Sequence, residues 1–137
     1  MTAARTHAEG IAELRRGGTD IAVVKLAAAG AMMDEGDRKE PLSIPAIAVQ
    51  AVDPTGAGDA FCGGFLAGLV ATADPACAAV CATVSASFAV EAFGPFALFS
   101  ARPDEVTRRW RELAPRCALP DSERLLRELA AMRRPPA

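Results

Sequence analysis

The 137 residues suffice for one compact domain with a buried core. A formal net charge of −2 and a pI near 5.4 exclude the basic field that holds a nucleic-acid backbone, and no uninterrupted apolar run reaches the length of a membrane span. Hydrophobic residues make up 51% of the chain but aromatics only 5%, with no tyrosine, so the core must be built from Ala, Val, Leu and Phe, which favours tightly packed helices on a small sheet.

Residues 5–16, RTHAEGIAELRR, put Ala8, Ile11 and Leu14 on one helical face, and Gly17 with Gly18 then end the pattern as a helix C-cap does. His7 on this helix reads as solvated. IAVVKL at 21–26 is a short continuous apolar run, the mark of a strand buried on both faces as in a parallel sheet. After Gly30, AMM and the polar DEGDRKE turn predict a hairpin into a second extended stretch, IPAIAVQAV at 44–52. Pro41 and Pro45 assign that stretch to a sheet edge or a crossing loop.

DPTGAGD at 53–59 is a turn, and AFCGGFLAGLVA at 60–71 has helical spacing, with Phe61, Phe65 and Leu69 and the small Gly64 and Gly68 along one flank. Asp74 as N-cap and Pro75 in the first turn open a second helix whose apolar run to Ala92 predicts burial all round. Glu91 at its end reads as a side chain reaching solvent. FGPF at 93–96 breaks this helix, and Pro103, Asp104 and Glu105 open an amphipathic one carrying Val106, Trp110 and Leu113, with Trp110 in the core. Residues 120–132 predict one more short helix, and RRPPA a frayed tail.

The basic residues Arg108, Arg109, Arg111 and Arg116 are interleaved with Glu105 and Glu112, which reads as a solvated helix face. Cys62, Cys77, Cys81 and Cys117 have neither zinc-ligand spacing nor the pattern of a disulfide framework, and read as small buried hydrophobes. With no signal peptide at the N-terminus, a reducing cytoplasm is the expected compartment.

The chemistry concentrates at 53–59. Gly56 and Gly58 let the backbone turn tightly and present several N–H groups at a helix N-terminus, where free donors and the helix dipole favour an anion. Asp59 repels phosphate if anion binding is the only task, but suits a base that takes a hydroxyl proton while the N–H groups stabilise a transferring phosphoryl group. GAGD alone is equally readable as a tight strand-to-helix turn capped by Asp59. A P-loop is excluded because no Lys followed by Ser or Thr comes after the glycines. Gly56, Gly58 and Phe61 do not meet the GxGxxG spacing either.

AVDPTGAGDAFCGGFLAGL at 51–69 resembles the C-terminal signature of the PfkB carbohydrate kinases. The resemblance extends to VVKLAAAGAMM at 23–33 and SASFAVEAFGPFAL at 85–98, and covers about residues 8–113, with 114–137 a C-terminal helix and tail. It implies a single partial kinase domain: the C-terminal portion of a ribokinase-like, three-layer α/β/α, Rossmann-like fold, with the N-terminal half and lid missing.

By the same resemblance, Asp59 is the base and the backbone of Gly56, Ala57 and Gly58 the anion hole. The turn from Lys25 through Ala27 to Gly30, with Gly58 and Asp59, borders the ATP, and Ala92 to Gly94 encloses the base end. A monovalent cation falls to Asp53 and the carbonyl of Thr55, with carbonyls of Ala89, Ala92 and Gly94 opposite. The implied cofactors are ATP and Mg2+, with K+ as the cation. The implied acceptor is a small sugar or nucleoside, and the implied partner either a second copy or the missing N-terminal half. The alternative reading is a non-catalytic nucleotide-binding or self-associating remnant of that fold.

Three positions depart from the family pattern. Ala27 replaces the usual first Gly of the nucleotide-side turn, so a positive φ there would be costly. Ala82 or Thr83 stands where a polar residue beside adenine is often found. Pro54 replaces the commoner Thr and fits the extended backbone that Asp53 already needs.

Overall fold

A computed structural model describes residues 6–36, 38–117, 119 and 121–131. Helix α1 (His7–Arg16) starts where a capping box satisfies its first donors: Thr6 Oγ1 accepts the Glu9 N–H at 3.2 Å, and the Glu9 carboxylate accepts the Thr6 N–H at 3.0 Å. It ends at Gly17, and Gly18, with φ 95°, carries the left-handed turn into the sheet.

Strands β1 (Ile21–Lys25), β2 (Ala31–Glu35) and β3 (Leu42–Ile44) form an antiparallel sheet in the order β1-β2-β3, with Val23 opposite Met33 and Met33 opposite Leu42. The expected parallel, doubly buried strand at 21–26 is therefore corrected. In β1 only Ala22 is buried, and the pairing is antiparallel because the loop 26–30 folds the chain straight back, its Leu26 N–H donating to the Gly30 carbonyl at 2.7 Å. Among the described residues no strand lies along the other edge of β1. The second extended stretch pairs over Leu42–Ile44 only, since Pro45 has no N–H to donate to a ladder. As expected from Pro41 and Pro45, β3 is an edge strand.

Alternation along the strands gives the sheet two buried faces. Ala31, Met33 and Ile44 turn toward the main core beneath helix α3 (Pro75–Ala89), whereas Ala22 turns to the side that α1 covers with the fully buried Ile11. The result is helix, sheet and helix in three layers. Ala8 and Leu14, expected on the packed face of α1, are exposed, because no described element reaches that flank.

Helix α2 (Ala57–Thr72) and α3 form the main helical contact. α3 begins where Asp74 accepts the Cys77 N–H at 2.9 Å with Pro75 in the first turn, and eleven of its fifteen residues are buried, so its apolar sequence is read correctly as an interior helix. Cys77 and Cys117 are buried as expected, Cys81 is half-buried, and Cys62 is exposed on α2. Helix α4 (Pro103–Leu113) carries the buried Trp110 and Leu113, and α5 (Ser122–Ala131) buries Leu125 against the same core. The tail RRPPA lies outside the described residues. Among the described residues no helix is long and apolar enough to cross a membrane.

Candidate active site

The segment 52–59 is held at both ends. Its entry is fixed to the end of α3: the Val90 carbonyl accepts the N–H groups of Val52 at 2.7 Å and Asp53 at 3.2 Å. Its exit is a turn in which Gly56 has φ 81° and ψ −6°, the third-position geometry of a type II turn, closed by the Ala57 N–H on the Pro54 carbonyl at 3.2 Å. Gly56 is thus required by conformation, and it delivers the chain directly into the first turn of α2.

That turn contains Ala57, Gly58 and Asp59, so α2 begins earlier than the apolar run at 60–71 implies. The N–H groups of Gly58 and Asp59 lie where a helix has no internal acceptors, at the positive end of its dipole. Strand β1 ends at Lys25, whose ammonium lies 3.0 Å from the place a Cβ on Gly58 would occupy. The absence of a side chain at Gly58 therefore lets a cation sit against the helix end. Asp59 is exposed, and its carboxylate makes no hydrogen bond or ion pair with another described residue. Two amide donors, one ammonium and one unpaired carboxylate are brought to a single helix end, an arrangement that can hold an anion beside a base.

The Lys25–Gly30 turn has the conformation that made Ala27 costly in the sequence: Ala27 adopts φ 51°, in the left-handed region. Gly30, with φ 97°, is irreplaceable, since a Cβ there would lie 2.1 Å from the Ile44 carbonyl oxygen and 2.6 Å from the Ala46 nitrogen.

Asp53 joins the second side of the site. Its Oδ2 accepts the Gly94 N–H at 3.0 Å and its Oδ1 accepts the Thr55 N–H at 2.9 Å. These bonds, that from Gly94 above all, hold the carboxyl below the usual carboxylate range. Asp53 and Thr55 are thus tied to the 90–94 turn through Val90 and Gly94, with Ala89 ending α3 and Ala92 within that turn. One ionised carboxylate with backbone oxygens would suit a hard, weakly held cation. Among the described residues no three His, Cys, Asp or Glu side chains cluster as metal ligands.

One group of residues differs from its reading in the sequence. Arg109, expected on a solvated face, is only 4% exposed. Its guanidinium donates to Glu91 Oε2 at 2.6 Å, Ser87 Oγ at 2.8 Å and Glu105 Oε1 at 3.1 Å, and lies 3.8 Å over the Phe88 ring. Glu91 is correspondingly the partner of a buried cation, not a side chain simply reaching solvent. The available signal was helical spacing: Arg109 falls three residues after Val106 and four before Leu113, on the apolar face.

Residues 2–100 match the pfkB family carbohydrate kinase profile. Among solved structures, the chain is similar to ribokinase from Thermotoga maritima, at 27% identity and a TM-score of 0.67, over 77% of this chain and 35% of that one. It is similar to aminoimidazole riboside kinase from Salmonella enterica, solved with aminoimidazole riboside and an ATP analogue, at 32% identity and TM-score 0.66, over 79% and 37%. Fructokinase from Vibrio cholerae O395, solved with fructose, ADP and calcium ion, gives 28% identity and TM-score 0.66 over 78% and 36%. The α/β arrangement is thus that of the ribokinase-like kinases, and the chain spans little more than a third of the length of each of these proteins. No curated protein matches it.

Proposed function

Since this chain belongs to the pfkB family of carbohydrate kinases, we propose that it carries the phosphoryl-transfer portion of an ATP-dependent kinase acting on a sugar or nucleoside hydroxyl. The observation that carries the reading is the unpaired Asp59 carboxylate in the same helical turn as the Gly58 and Asp59 N–H donors, with the Lys25 ammonium against Gly58.

In this reading Asp59 accepts the hydroxyl proton as the acceptor oxygen attacks the γ-phosphorus of ATP. The bond from that phosphorus to the bridging oxygen breaks, and ADP leaves with the electron pair. The backbone of Gly56, Ala57 and Gly58 forms the anion hole, with the Gly58 N–H as a free donor while the Ala57 N–H closes the turn on the Pro54 carbonyl. The turn through Lys25, Ala27 and Gly30 borders the phosphates, and Ala92 and Gly94 border the base end. Mg2+, when bound, neutralises phosphate charge, and with no acidic cluster among the described residues it would travel on the nucleotide. Asp53 and the Thr55 carbonyl, with carbonyls of Ala89, Ala92 and Gly94, would hold K+, which orders the loop without touching substrate.

Nucleotide-bound kinases of sugars and of a nucleoside among the similar structures support this substrate class. The test is Asp59→Asn in a protein completed with a family N-terminal half. Turnover is expected to fall at least about a hundredfold, within the range that a general base contributes, with Mg·ATP binding within about twofold of the parent, as only a proton acceptor is removed. Retained turnover would remove Asp59 from its role.

A further inference from the structure

The Arg109 cluster is separate in sequence from the loop 52–59 yet connected to it by hydrogen bonds at either end of the short backbone segment 90–94. The guanidinium on α4 grips Ser87 and Phe88 in the last turn of α3 and Glu91 just beyond it. One residue from Glu91, the Val90 carbonyl accepts from Val52 and Asp53; three residues on, the Gly94 N–H donates to Asp53, whose other oxygen orders Thr55. Every nitrogen of the Arg109 side chain is occupied, and two carboxylates, Glu91 and Glu105, compensate its charge. A cation this buried is costly unless its partners hold fixed positions, so its environment constrains the turn at 90–94 as strongly as it constrains itself.

We infer that Arg109 is a positioning residue: through Glu91 and Ser87 it sets the 90–94 turn from which Val90 and Gly94 hold the Asp53 loop in register with the first turn of α2. The inference builds on the proposed function for its purpose, but the geometry it asserts belongs to the ligand-free chain. It distinguishes Arg109 from Arg111, whose exposed ion pair with Glu123 reaches nothing in this network, and from the exposed Arg108, which touches it only through the shared Glu105 and contacts neither Ser87 nor Glu91.

The experiment is amide hydrogen exchange on the ligand-free protein, with Arg109→Met, Arg109→Lys and Glu91→Gln compared against Leu125→Ala, a cavity variant on α5 outside the network. A purely structural role lowers protection everywhere, as Leu125→Ala does. A positioning role accelerates exchange at Val52, Asp53, Thr55 and Gly94 by about tenfold more than at core amides such as Val80, with partial recovery in Arg109→Lys. If Arg109→Met does not fold, Glu91→Gln decides, because it leaves the guanidinium in place with its Ser87 and Glu105 bonds. Uniform changes in loop and core, or an unchanged loop in Glu91→Gln, overturn the inference. A chain with this exchange pattern but no response to nucleotide would instead count against the proposed function.

Discussion

Ala27 occupies a backbone conformation in which its Cβ crowds the following carbonyl, at φ 51° in the loop between β1 and β2. Glycine visits that region without penalty, so Ala27→Gly is expected to raise stability by about 0.5–1 kcal/mol after allowing for the greater freedom of glycine in the unfolded chain. Thermal unfolding reads this directly, as a rise of a few degrees, and a fall in Tm would mean that the loop does not hold this geometry in solution. The strain was legible from one residue, because Ala27 stands where a glycine is usual. Gly56 and Asp59 were legible for a similar reason, since the turn they make is local. Arg109 was not: whether a guanidinium is solvated or buried depends on a helix that returns from elsewhere in the chain, and neighbouring Glu residues looked sufficient as partners.

At the scale of elements, α2 and α3 approach closely because Gly64 and Gly68 have no side chains. A Cβ at Gly68 would stand 2.8 Å from Ala78 Cα and 3.0 Å from Cys81 Sγ, whereas one at Gly63 meets nothing within 4 Å. Gly68→Ala should therefore cost about 1–3 kcal/mol, since helix backbone cannot move aside. Gly63→Ala should gain up to about 1 kcal/mol from helix propensity alone. Chemical denaturation of the two variants separates packing from propensity, and equal effects would contradict the close approach. The helix-to-helix contact was foreshadowed by the spacing of small residues, but the sheet pairing was not. A continuous apolar run does not state which neighbour it has, and the loop at 26–30 settles the matter by reversing the chain.

Helix α4 adds a pH dependence of definite sign. Arg108 first, then Arg109, hold the Glu105 carboxyl down to about 2 from its ordinary 4.5. The folded chain thus releases this proton more readily than the unfolded one. The stabilisation is complete above about 4.5 and disappears as pH falls toward 2. Unfolding followed across this window should show stability dropping with acid, and Glu105→Gln should flatten part of that slope. An unchanged slope would place Glu105 outside these ion pairs in solution.

At the scale of the whole molecule, the chain spans little more than a third of the kinases it resembles, and several large apolar side chains are uncovered. Leu66 and Val70 on the outer flank of α2 are 62% and 78% exposed, and Phe93, Phe96 and Phe99 beside the 90–94 turn are also exposed. Such surface normally marks a contact with something else. The fold class and the family were legible because the signature at 51–69 is contiguous. The acceptor was not, because no comparable local motif for it stands in these residues.

The most direct measurement is the thermal midpoint of the folded chain with and without Mg·ATP, in K+ and in its absence. The first turn of α2 and Lys25 together predict a rise that grows with nucleotide, corresponding to about 2.7 kcal/mol at a hundredfold excess over Kd. The rise should be larger with K+. A folded chain whose midpoint ignores Mg·ATP at any concentration would contradict the account and leave these residues as a self-associating remnant of the fold.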